Sequence, residues 1–292
     1  MIVITGATGN IGSKITQNLL DKGQKVLCIA RNADKLIQFT DRGAQAATIS
    51  LAQTDLLAQA FSGAEAVFAM IPPNYTAPDF LAYQEMIGTS LVKAIKQSGV
   101  KYVVNLSSLG AHLPDLTGPI KGLHAQEQRL NQIEDVHVLH LRPTYFMENT
   151  LVNVDLIKNQ NIMGSAIRGD VQLPMIATQD IAAAAAQHLT KKDFSGKSIV
   201  HLLGERDLSL DEAAQIIGRK IDKPDLKYIQ FSYADTQQAL LGMGFSADVA
   251  KLFIEMAKAF NEGLIEAKRT KQNTTPTSFE EFAQVFPKLV YR

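Results

Sequence analysis

The feature that most restricts the fold of this chain is a glycine-rich turn between a predicted strand and a predicted helix, close to residue 1. The first six residues, MIVITG, form a short, β-branched apolar run that ends in glycine, which is typical of a buried strand. The next segment places Ile11, Ile15 and Leu19 at spacings of four before Gly23, which predicts an amphipathic helix. A strand, a glycine-rich turn and a helix in this order are the context in which glycines predict a dinucleotide-binding site.

The three glycines of this turn are expected to serve different purposes. Gly6 permits a tight turn at the strand end, Gly9 lets a pyrophosphate approach the backbone, and Gly12 lets the helix pack close to the strand. The free amides at the start of the helix, near Asn10 and Ile11, would point at the phosphates. Glycines also occur in plain turns, so the prediction depends on the strand and helix that flank them.

Strand-like and helix-like segments continue to alternate as far as Pro143. This alternation predicts an α/β fold with a doubly wound parallel sheet that helices cover on both faces. Beyond Pro143 the pattern becomes mainly helical, and one apolar run near 198–204 is predicted to return to the sheet as a late strand. We therefore expect a dinucleotide-binding domain at 1–150 and a smaller, discontinuous domain at 151–292.

Three helices of the second region have predicted ends. One should begin at Thr178 or Asp180, with Asp180 interpreted as a structural cap. A second is predicted over 247–268. A third should open with a capping residue at Thr277 or Ser278, directly before the run FEEFAQVF.

The end of the second predicted strand indicates which cofactor is preferred. An acidic residue at this point, about 20 residues beyond the glycine turn, usually binds a free ribose 2′-hydroxyl. This chain instead has Arg31, followed by Asn32 and Lys35. Because a guanidinium can bind a 2′-phosphate through two hydrogen bonds, we predict NADP(H) in preference to NAD(H). The alternative is that Arg31 is only a solvated strand end.

Composition excludes several other classes of function. Lys+Arg and Asp+Glu both number 29, so the chain lacks the basic surplus expected of a nucleic-acid-binding protein. Cys28 is the single cysteine and lies in an apolar run, so no disulfide or multi-thiolate metal site is expected. No stretch approaches the ~20 apolar residues needed to span a bilayer. We expect no secretory leader and a reducing, cytoplasmic setting.

Several segments together resemble the NmrA-like branch of the atypical short-chain dehydrogenases/reductases: GATGNIG, ARNADK, FSGAEAVFAMIPP, KYVVNLSS, LRPTYFMEN, the DIA of TQDIA, and TPTSFEEF. The resemblance covers nearly the whole chain. It implies a Rossmann domain, a small C-terminal domain and a cleft between them over the nicotinamide. Members include NADPH-dependent quinone, enone and phenylpropanoid reductases, and also non-catalytic sensors of the NADP(H) state that act through protein partners.

The resemblance also implies roles for individual residues. Around the pyrophosphate, the implied contacts are Gly6, Thr8, Gly9, Asn10, Ile11 and Gly12. At the adenosine end, Arg31 and Lys35 would contact the 2′-phosphate and Ser50 the adenine, while Met70, Ile71 and Pro72 would lie beyond the ribose. Near the nicotinamide, the implied contacts are Ser107, Ser108, Pro143 and Tyr145. The implied acceptor pocket is lined by Ser108, His124, Tyr145 and Phe146. Related chains often close the third strand with Gly-Asp, whereas this chain has Ile49-Ser50, so a weaker contact to adenine is expected.

The catalytic pair that the wider family uses is missing. That pair is Tyr-x-x-x-Lys on the helix after the serine strand, and none of the seven tyrosines here has lysine four residues later. The same helix instead carries Lys121, His124 and Glu127, and His124 could donate a proton because its reference pKa lies near neutrality. The candidate catalytic residues are therefore His124 and Ser107. The competing interpretation of His124 is a partly exposed helix residue with no chemical task.

Metal and hydrolase chemistry receive little support from the sequence. No G-x-S-x-G elbow is present. His137 and His140 fall in one predicted strand three residues apart, which puts them on opposite faces, so they are interpreted as structural. His112 lies in the loop after the serine strand and is a weaker candidate for the cleft.

The leading hypothesis is an NADP(H)-dependent oxidoreductase that passes hydride to a small, electron-poor acceptor such as a quinone. The main alternative is a regulatory NADP(H) sensor that acts through a protein partner. The candidate partners are a small-molecule acceptor and, beside it, either another protein or a second copy of the chain in a homodimer. A nucleotide-sugar epimerase is a third possibility, since the glycine motif has the spacing of extended family members. No membrane partner and no bound metal are expected.

Overall fold

The computed structural model describes residues 1–291 and has at its centre a seven-stranded sheet in which every pair of neighbours is parallel. The strands of this sheet are β1 (Ile2–Thr5), β2 (Val26–Ala30), β3 (Gln45–Thr48), β4 (Ala66–Ala69), β5 (Tyr102–Leu106), β6 (His137–Pro143) and β8 (Lys197–Leu202). Their order across the sheet is β3-β2-β1-β4-β5-β6-β8. A further strand, β7 (Ile162–Ser165), lies outside this sheet. The predicted α/β class is confirmed.

Helices cover both faces of the sheet, as a parallel sheet requires. The helices are α1 (Asn10–Asp21), α2 (Ile37–Thr40), α3 (Thr54–Phe61), α4 (Phe80–Ser98), α5 (Ile120–Asn131), α6 (Val154–Gln160), α7 (Thr178–Lys191), α8 (Leu210–Lys220), α9 (Tyr233–Gly242), α10 (Ala247–Asn261), α11 (Phe279–Phe282) and α12 (Phe286–Val290). On one face α1 packs against α7, where the buried Ala182, Ala185 and Ala186 have no bulk to hold the helices apart. On the other face α3, α4 and α5 bury residues such as Phe61, Leu91 and Leu130.

The order of the strands places a crevice beside β1. The chain leaves β1 toward β2 on one side and later returns to β4 on the other, so the connections on either side of β1 run in opposite directions. Ligands of open α/β sheets bind outside the carboxyl ends of the strands at such a switch point. The glycine turn follows β1 directly and therefore lies in this crevice.

The part of the chain beyond β6 is mainly helical, as predicted, but it also contains a small parallel sheet that the sequence did not predict. This sheet pairs β7 with β9 (Lys227–Gln230). The hydrophobic core around this small sheet is separate from the two cores on the faces of the large sheet. It includes Ile157, Met163, Ile217 and Phe286. The late strand β8 also comes from this part of the chain and pairs with β6. A domain boundary at residue 150 stays a prediction.

Two predicted helix ends were wrong and others are confirmed. Helix α10 ends at Asn261 and not at residue 268, because Gly263 follows with φ of +69° and turns the chain out of the helix. Asp180 does not cap α7: its carboxylate accepts hydrogen bonds from the amide (3.0 Å) and hydroxyl (2.7 Å) of Thr277. Helix α7 begins at Thr178, and Ser278 caps α11 in a capping box. Within residues 1–291, no helix combines the length and apolar character needed to cross a membrane.

Candidate cofactor and acceptor site

The glycine turn is shaped by two close contacts that exclude any side chain. Gly6 has φ of +63°, and a Cβ built there would lie 2.9 Å from Met70 Sδ. A Cβ on Gly12 would lie 2.2 Å from the carbonyl oxygen of Gly6, so only glycine lets α1 approach the end of β1 this closely. Gly9 differs, because its φ of −86° is ordinary and a Cβ there would have Gly6 O at 3.4 Å as its nearest neighbour. Packing within the protein therefore does not require glycine at position 9.

The first turn of α1 presents unpaired backbone amides to this crevice. Gly9 is the N-cap and supplies no side-chain hydrogen bond, and the turn contains no acidic residue. Over residues 1–291, the amides of Asn10, Ile11 and Gly12 have no hydrogen-bond acceptor from the protein, whereas Ser13 N bonds to Gly9 O at 2.9 Å. Three unpaired amides at the positive end of a twelve-residue helix are suited to an anion. The residues present therefore fit a pyrophosphate, and glycine at position 9 leaves the approach to these amides open.

The predicted 2′-phosphate residues follow β2, the strand next to β1. Arg31 and Lys35 are both exposed, and neither forms an ion pair with any residue in the described part of the chain. The side chain of Asn32 orders the loop between them, because its Oδ1 accepts hydrogen bonds from the amides of Asp34 (2.9 Å) and Lys35 (3.4 Å). Two cations without a protein counter-charge on one ordered turn suit a dianionic phosphate.

The ends of β3 and β4 complete this side of the crevice. Ser50 is half-buried, its amide donates to Gln53 Oε1 (2.8 Å), and its hydroxyl accepts from Ala52 N (3.4 Å). Met70, Ile71 and Pro72 follow β4 and are also half-buried, with Met70 against Gly6 as described above. The structure thus brings all these predicted contacts to the carboxyl edge of the sheet.

The end of β5 carries Ser107 and Ser108, which differ in their surroundings. Ser107 is buried, and its hydroxyl donates a 2.5 Å hydrogen bond to Glu127 Oε1. Glu127 is itself paired with Arg142 through two hydrogen bonds, from Nε at 2.9 Å and from Nη2 at 2.5 Å. Ser108 is half-buried, and its hydroxyl donates to Leu109 O at 3.0 Å. Of the two hydroxyls, that of Ser108 is the one accessible from the crevice.

His124 is half-buried on α5, and a neighbouring carbonyl group determines which of its ring nitrogens carries a hydrogen. Its Nδ1 lies 2.9 Å from the carbonyl oxygen of Ala111, so Nδ1 carries a hydrogen and donates it. Glu127 lies one turn further along α5 and bonds to Ser107 and Arg142 instead of His124. In the neutral ring Nε2 is therefore the basic nitrogen and the only one that can take up a proton.

Lys121, the third polar residue that the sequence suggested on α5, is occupied by acidic partners. Its Nζ lies 2.9 Å from Glu255 of α10 and 3.3 Å from Asp115. Partial burial would lower the pKa of Lys121, but these two carboxylates together raise it. Lys121 is thus a fixed cation that joins α5 to α10.

The residues after β6 form an aromatic wall. Pro143 accepts a hydrogen bond from Leu109 N at 2.8 Å, which ties the ends of β5 and β6 together. The ring of Tyr145 meets Phe260 of α10 edge to face, with centroids 6.1 Å apart, and Phe146 bridges to Ile176. Burial and then the nearby Tyr228 raise the pKa of Tyr145 far above its usual value. The Tyr145 hydroxyl therefore stays protonated at neutral pH and is a donor, not a base.

Helix α10 crosses this edge of the sheet and contacts the loops of three strands. Tyr75, in the loop after β4, meets Phe253 of α10 edge to face, with ring centroids 5.9 Å apart. The α10 residue Asp248 accepts a 2.8 Å hydrogen bond from Phe80 N at the start of α4. Gly118, before α5, leaves no room for a side chain because a Cβ would lie 2.0 Å from Leu252 O. With the Tyr145 contact after β6, these interactions make α10 a roof over the loops that follow β4, β5 and β6.

The two histidines of β6 take structural positions. His137 Nδ1 accepts from Gly196 N at 3.0 Å, while the buried His140 lies between Asn105 (3.1 Å) and Asn131 (2.9 Å). Burial lowers the pKa of His140 to about 4, so its ring is neutral at physiological pH. His112 is exposed. Among residues 1–291, no group of three or more His, Cys, Asp or Glu side chains is arranged to hold a metal ion.

The partner of Glu127 and the roof formed by α10 are features of the site that were not predicted from the sequence. A signal for the first was present, because Arg142 stands inside the apolar strand LHLRP and a buried guanidinium requires an acidic partner. No comparable signal existed for α10, whose contacts to Tyr75 and Gly118 join residues more than 100 positions apart.

Comparisons with known proteins show relatives that match this chain over almost its full length. The chain is 26% identical over 288 residues to an NAD(P)H azoreductase from Xenophilus azovorans, covering 97% of both chains. In structure it resembles an NADPH-dependent quinone oxidoreductase from Escherichia coli in complex with NADPH, with a TM-score of 0.82 and 21% identity over 97% of this chain and 98% of the other. It also resembles a nucleoside-diphosphate-sugar epimerase from Staphylococcus aureus, with a TM-score of 0.81 and 20% identity over 97% and 99% of the two chains. At these identities the two structures speak for the fold alone.

A match to a family model identifies the family of the chain. The model of the NmrA-like family matches residues 1–283, which is nearly the full length of the chain. The match includes the glycine turn, the ends of β2 through β6, and the helices that form the roof. The resemblance suggested by the sequence motifs is therefore confirmed, and the chain belongs to the NmrA-like family.

Proposed function

We propose that this protein is an NADPH-dependent reductase that passes hydride to a small, flat, electron-poor acceptor such as a quinone. The observation that carries the proposal is the combination of three unpaired amides at the start of α1 with the unpaired cations Arg31 and Lys35 on the adjacent strand end. The amides match the pyrophosphate, which NADPH shares with NADH, and the cations match the 2′-phosphate, which only NADPH carries. The named activity of the azoreductase supports the same reaction class.

NADPH, when bound, supplies the hydride, and the protein's own residues hold and cover the reacting groups. Ser108, Tyr145 and Phe146 are proposed to line the acceptor pocket beneath α10. The hydrogen bond from Ser107 to Glu127 fixes the end of β5. Ser107 is proposed to lie beside the nicotinamide without reacting itself. Because α10 and the aromatic wall exclude water from this edge, orientation of the acceptor supplies much of the rate enhancement.

His124 is the proposed source of the proton for the reduced acceptor. Its Nδ1 is held by the Ala111 carbonyl, so a proton taken from solvent resides on Nε2 and can be passed on from there. Tyr145 can donate a hydrogen bond to the acceptor, but its raised pKa makes the hydroxyl a poor source of the proton itself. Quinone reduction does not depend on a strong acid, which fits the absence of a Tyr-x-x-x-Lys pair.

A second candidate function is an NADP(H) sensor that changes shape on binding and contacts a protein partner. The observation in its favour is that the polar residues of α5 are occupied. Lys121 is paired with Glu255 and Asp115, and Glu127 is paired with Arg142, which leaves only His124 for proton transfer. The epimerase alternative has less support, because that reaction needs the acid–base pair this chain lacks.

The test is to follow NADPH oxidation with a panel of quinones, enones and an azo dye, alongside NADPH binding by fluorescence titration. Gly9→Val should abolish binding and turnover while leaving the fold intact, because position 9 has an ordinary φ and no crowded contact. Gly242→Val is the matched control, since position 242 is equally open but lies on α9. Turnover lost only in Gly9→Val supports a reductase. Tight NADPH binding with no turnover on any acceptor supports the sensor, and NAD that co-purifies with the protein would favour the epimerase.

A further inference from the structure

A buried ion pair lies behind the nicotinamide side of the proposed site, between α5 and β6. The side chains of Glu127 and Arg142 are 2% and 8% exposed, and the guanidinium contacts both carboxylate oxygens. Removing two charges from water is costly, and a well-packed apolar pair is often as stable. A pair that is this buried therefore suggests a purpose beyond stability.

The third partner of this pair indicates what the purpose is. Glu127 Oε1 accepts hydrogen bonds from both Arg142 Nε and the hydroxyl of Ser107, so Arg142 orients the carboxylate that holds Ser107. Ser107 is the first residue after β5, and the backbone beyond it forms a turn as far as Ala111. Glu127 thus fixes the first residue of this turn.

The far end of the turn is fixed by the same helix. His124 lies one turn before Glu127 on α5, and its Nδ1 donates to the carbonyl oxygen of Ala111. Between these two points, Leu109 N bonds to Pro143 O at 2.8 Å and Ala111 N bonds to Ser108 O at 3.1 Å. The segment from Ser107 to Ala111 is therefore held at both ends by α5 and in the middle by β6.

We propose that Glu127 is a positioning residue: through Ser107 and the shared helix α5 it sets the placement of the Ser107–Ala111 turn and of His124 relative to the nicotinamide. This inference rests on the proposed function, since it assigns Glu127 a part in hydride and proton transfer. Glu127 itself touches neither cofactor nor acceptor. Displacement of reacting groups by about 1 Å can cost roughly 100-fold in rate, so loss of this support lowers kcat more than affinity.

The first test is Ser107→Ala, which leaves the Glu127–Arg142 pair in place and removes only its link to the turn. We expect kcat with a quinone to fall about 10-fold to 100-fold, with the Kd for NADPH changed less than about threefold because its phosphates bind elsewhere. In the protein without cofactor, the amides of Leu109 and Ala111 should exchange hydrogen faster. Ser90→Ala is the matched control, since Ser90 is also buried and its hydroxyl bonds to Thr54 at 2.9 Å, away from the site.

The second test is the double variant Glu127→Leu/Arg142→Leu, which removes both buried charges at once and so leaves neither of them unpaired. If Glu127 positions the turn, this variant folds but loses kcat to the same extent as Ser107→Ala. Wild-type kcat in the folded double variant, or wild-type kcat and amide exchange in Ser107→Ala, would overturn the proposal. The two proposals can fail separately. If the wild-type protein reduces no acceptor, the proposed function is wrong. If amide hydrogen exchange at Leu109 and Ala111 is unchanged in Ser107→Ala, the positioning role of Glu127 is wrong.

Discussion

Replacing Arg31 by aspartate reverses the charge at the proposed 2′-phosphate site and should convert a preference for NADPH into a preference for NADH. Arg31 is exposed and forms no ion pair within residues 1–291, so nothing else in the protein depends on it. A hydrogen-bonded contact to a charged group contributes about 1.5–3 kcal/mol, and the exposure of Arg31 argues for the lower end. Repulsion between the new carboxylate and the phosphate adds about 1 kcal/mol at 4 Å in water. The sum of about 2.5 kcal/mol corresponds to roughly 60-fold weaker NADPH binding.

The assay is fluorescence titration of NADPH and NADH with wild-type protein, Arg31→Asp and Arg42→Asp. The last variant has the same change in net charge, but Arg42 is paired with Asp21 on the surface after α2 and is not among the proposed cofactor contacts. NADH affinity should change by less than about threefold in every variant, and the NADPH effect should shrink at high salt because the site is exposed. Equal losses for NADPH and NADH in Arg31→Asp, or an equal NADPH loss in Arg42→Asp, would refute the 2′-phosphate role.

Three further perturbations test other parts of the structure. Gly12→Ala should destabilise the fold by about 2–3 kcal/mol in urea unfolding, because the new Cβ would lie 2.2 Å from Gly6 O; equal stability for Gly12→Ala and Gly9→Ala would contradict this. The pKa of His140 falls from 6.5 to about 4 on folding, so the unfolded chain takes up a proton first and stability is lost as pH falls through this range. This loss in the free energy of unfolding should approach about 3 kcal/mol between neutral pH and pH values below the folded-state pKa, and it should be absent in His140→Gln. Burial raises the pKa of Cys28 to about 11, so its thiol should react with a disulfide reagent at neutral pH only after unfolding.

The sequence was informative wherever the determining interactions are local. The buried strand β1, the glycine turn and the amphipathic helix α1 each have a pattern that can be recognised within a few residues, and all three are where they were predicted. The predicted family is confirmed as well, and it follows from motifs of the same local kind. The cofactor preference, by contrast, depends on one exposed residue, Arg31, and stays a prediction.

The sequence was uninformative where a residue's role depends on a distant partner. Asp180 has the position of a helix cap, but Thr277 offers it two hydrogen bonds from 97 residues away. The strands β7 (IMGS) and β9 (KYIQ) have the same four-residue length as β1 but lack its continuous β-branched apolar run. The sequence places Glu127 on the correct helix, but its partners on β5 and β6 emerge only when the strands are assembled.

The late strand β8 has a consequence for how the chain is made. Strand β6 is buried between β5 and β8, and β8 ends 59 residues after Pro143. At translation rates of about 5–20 residues per second, the carboxyl half of the sheet waits several seconds with an unpaired edge. Helix α7, which covers α1 on one face, is synthesised in the same interval. The nascent chain therefore completes its cofactor-binding sheet only after about two thirds of it has left the ribosome, and until then the edge of β6 is a site for a chaperone or for aggregation.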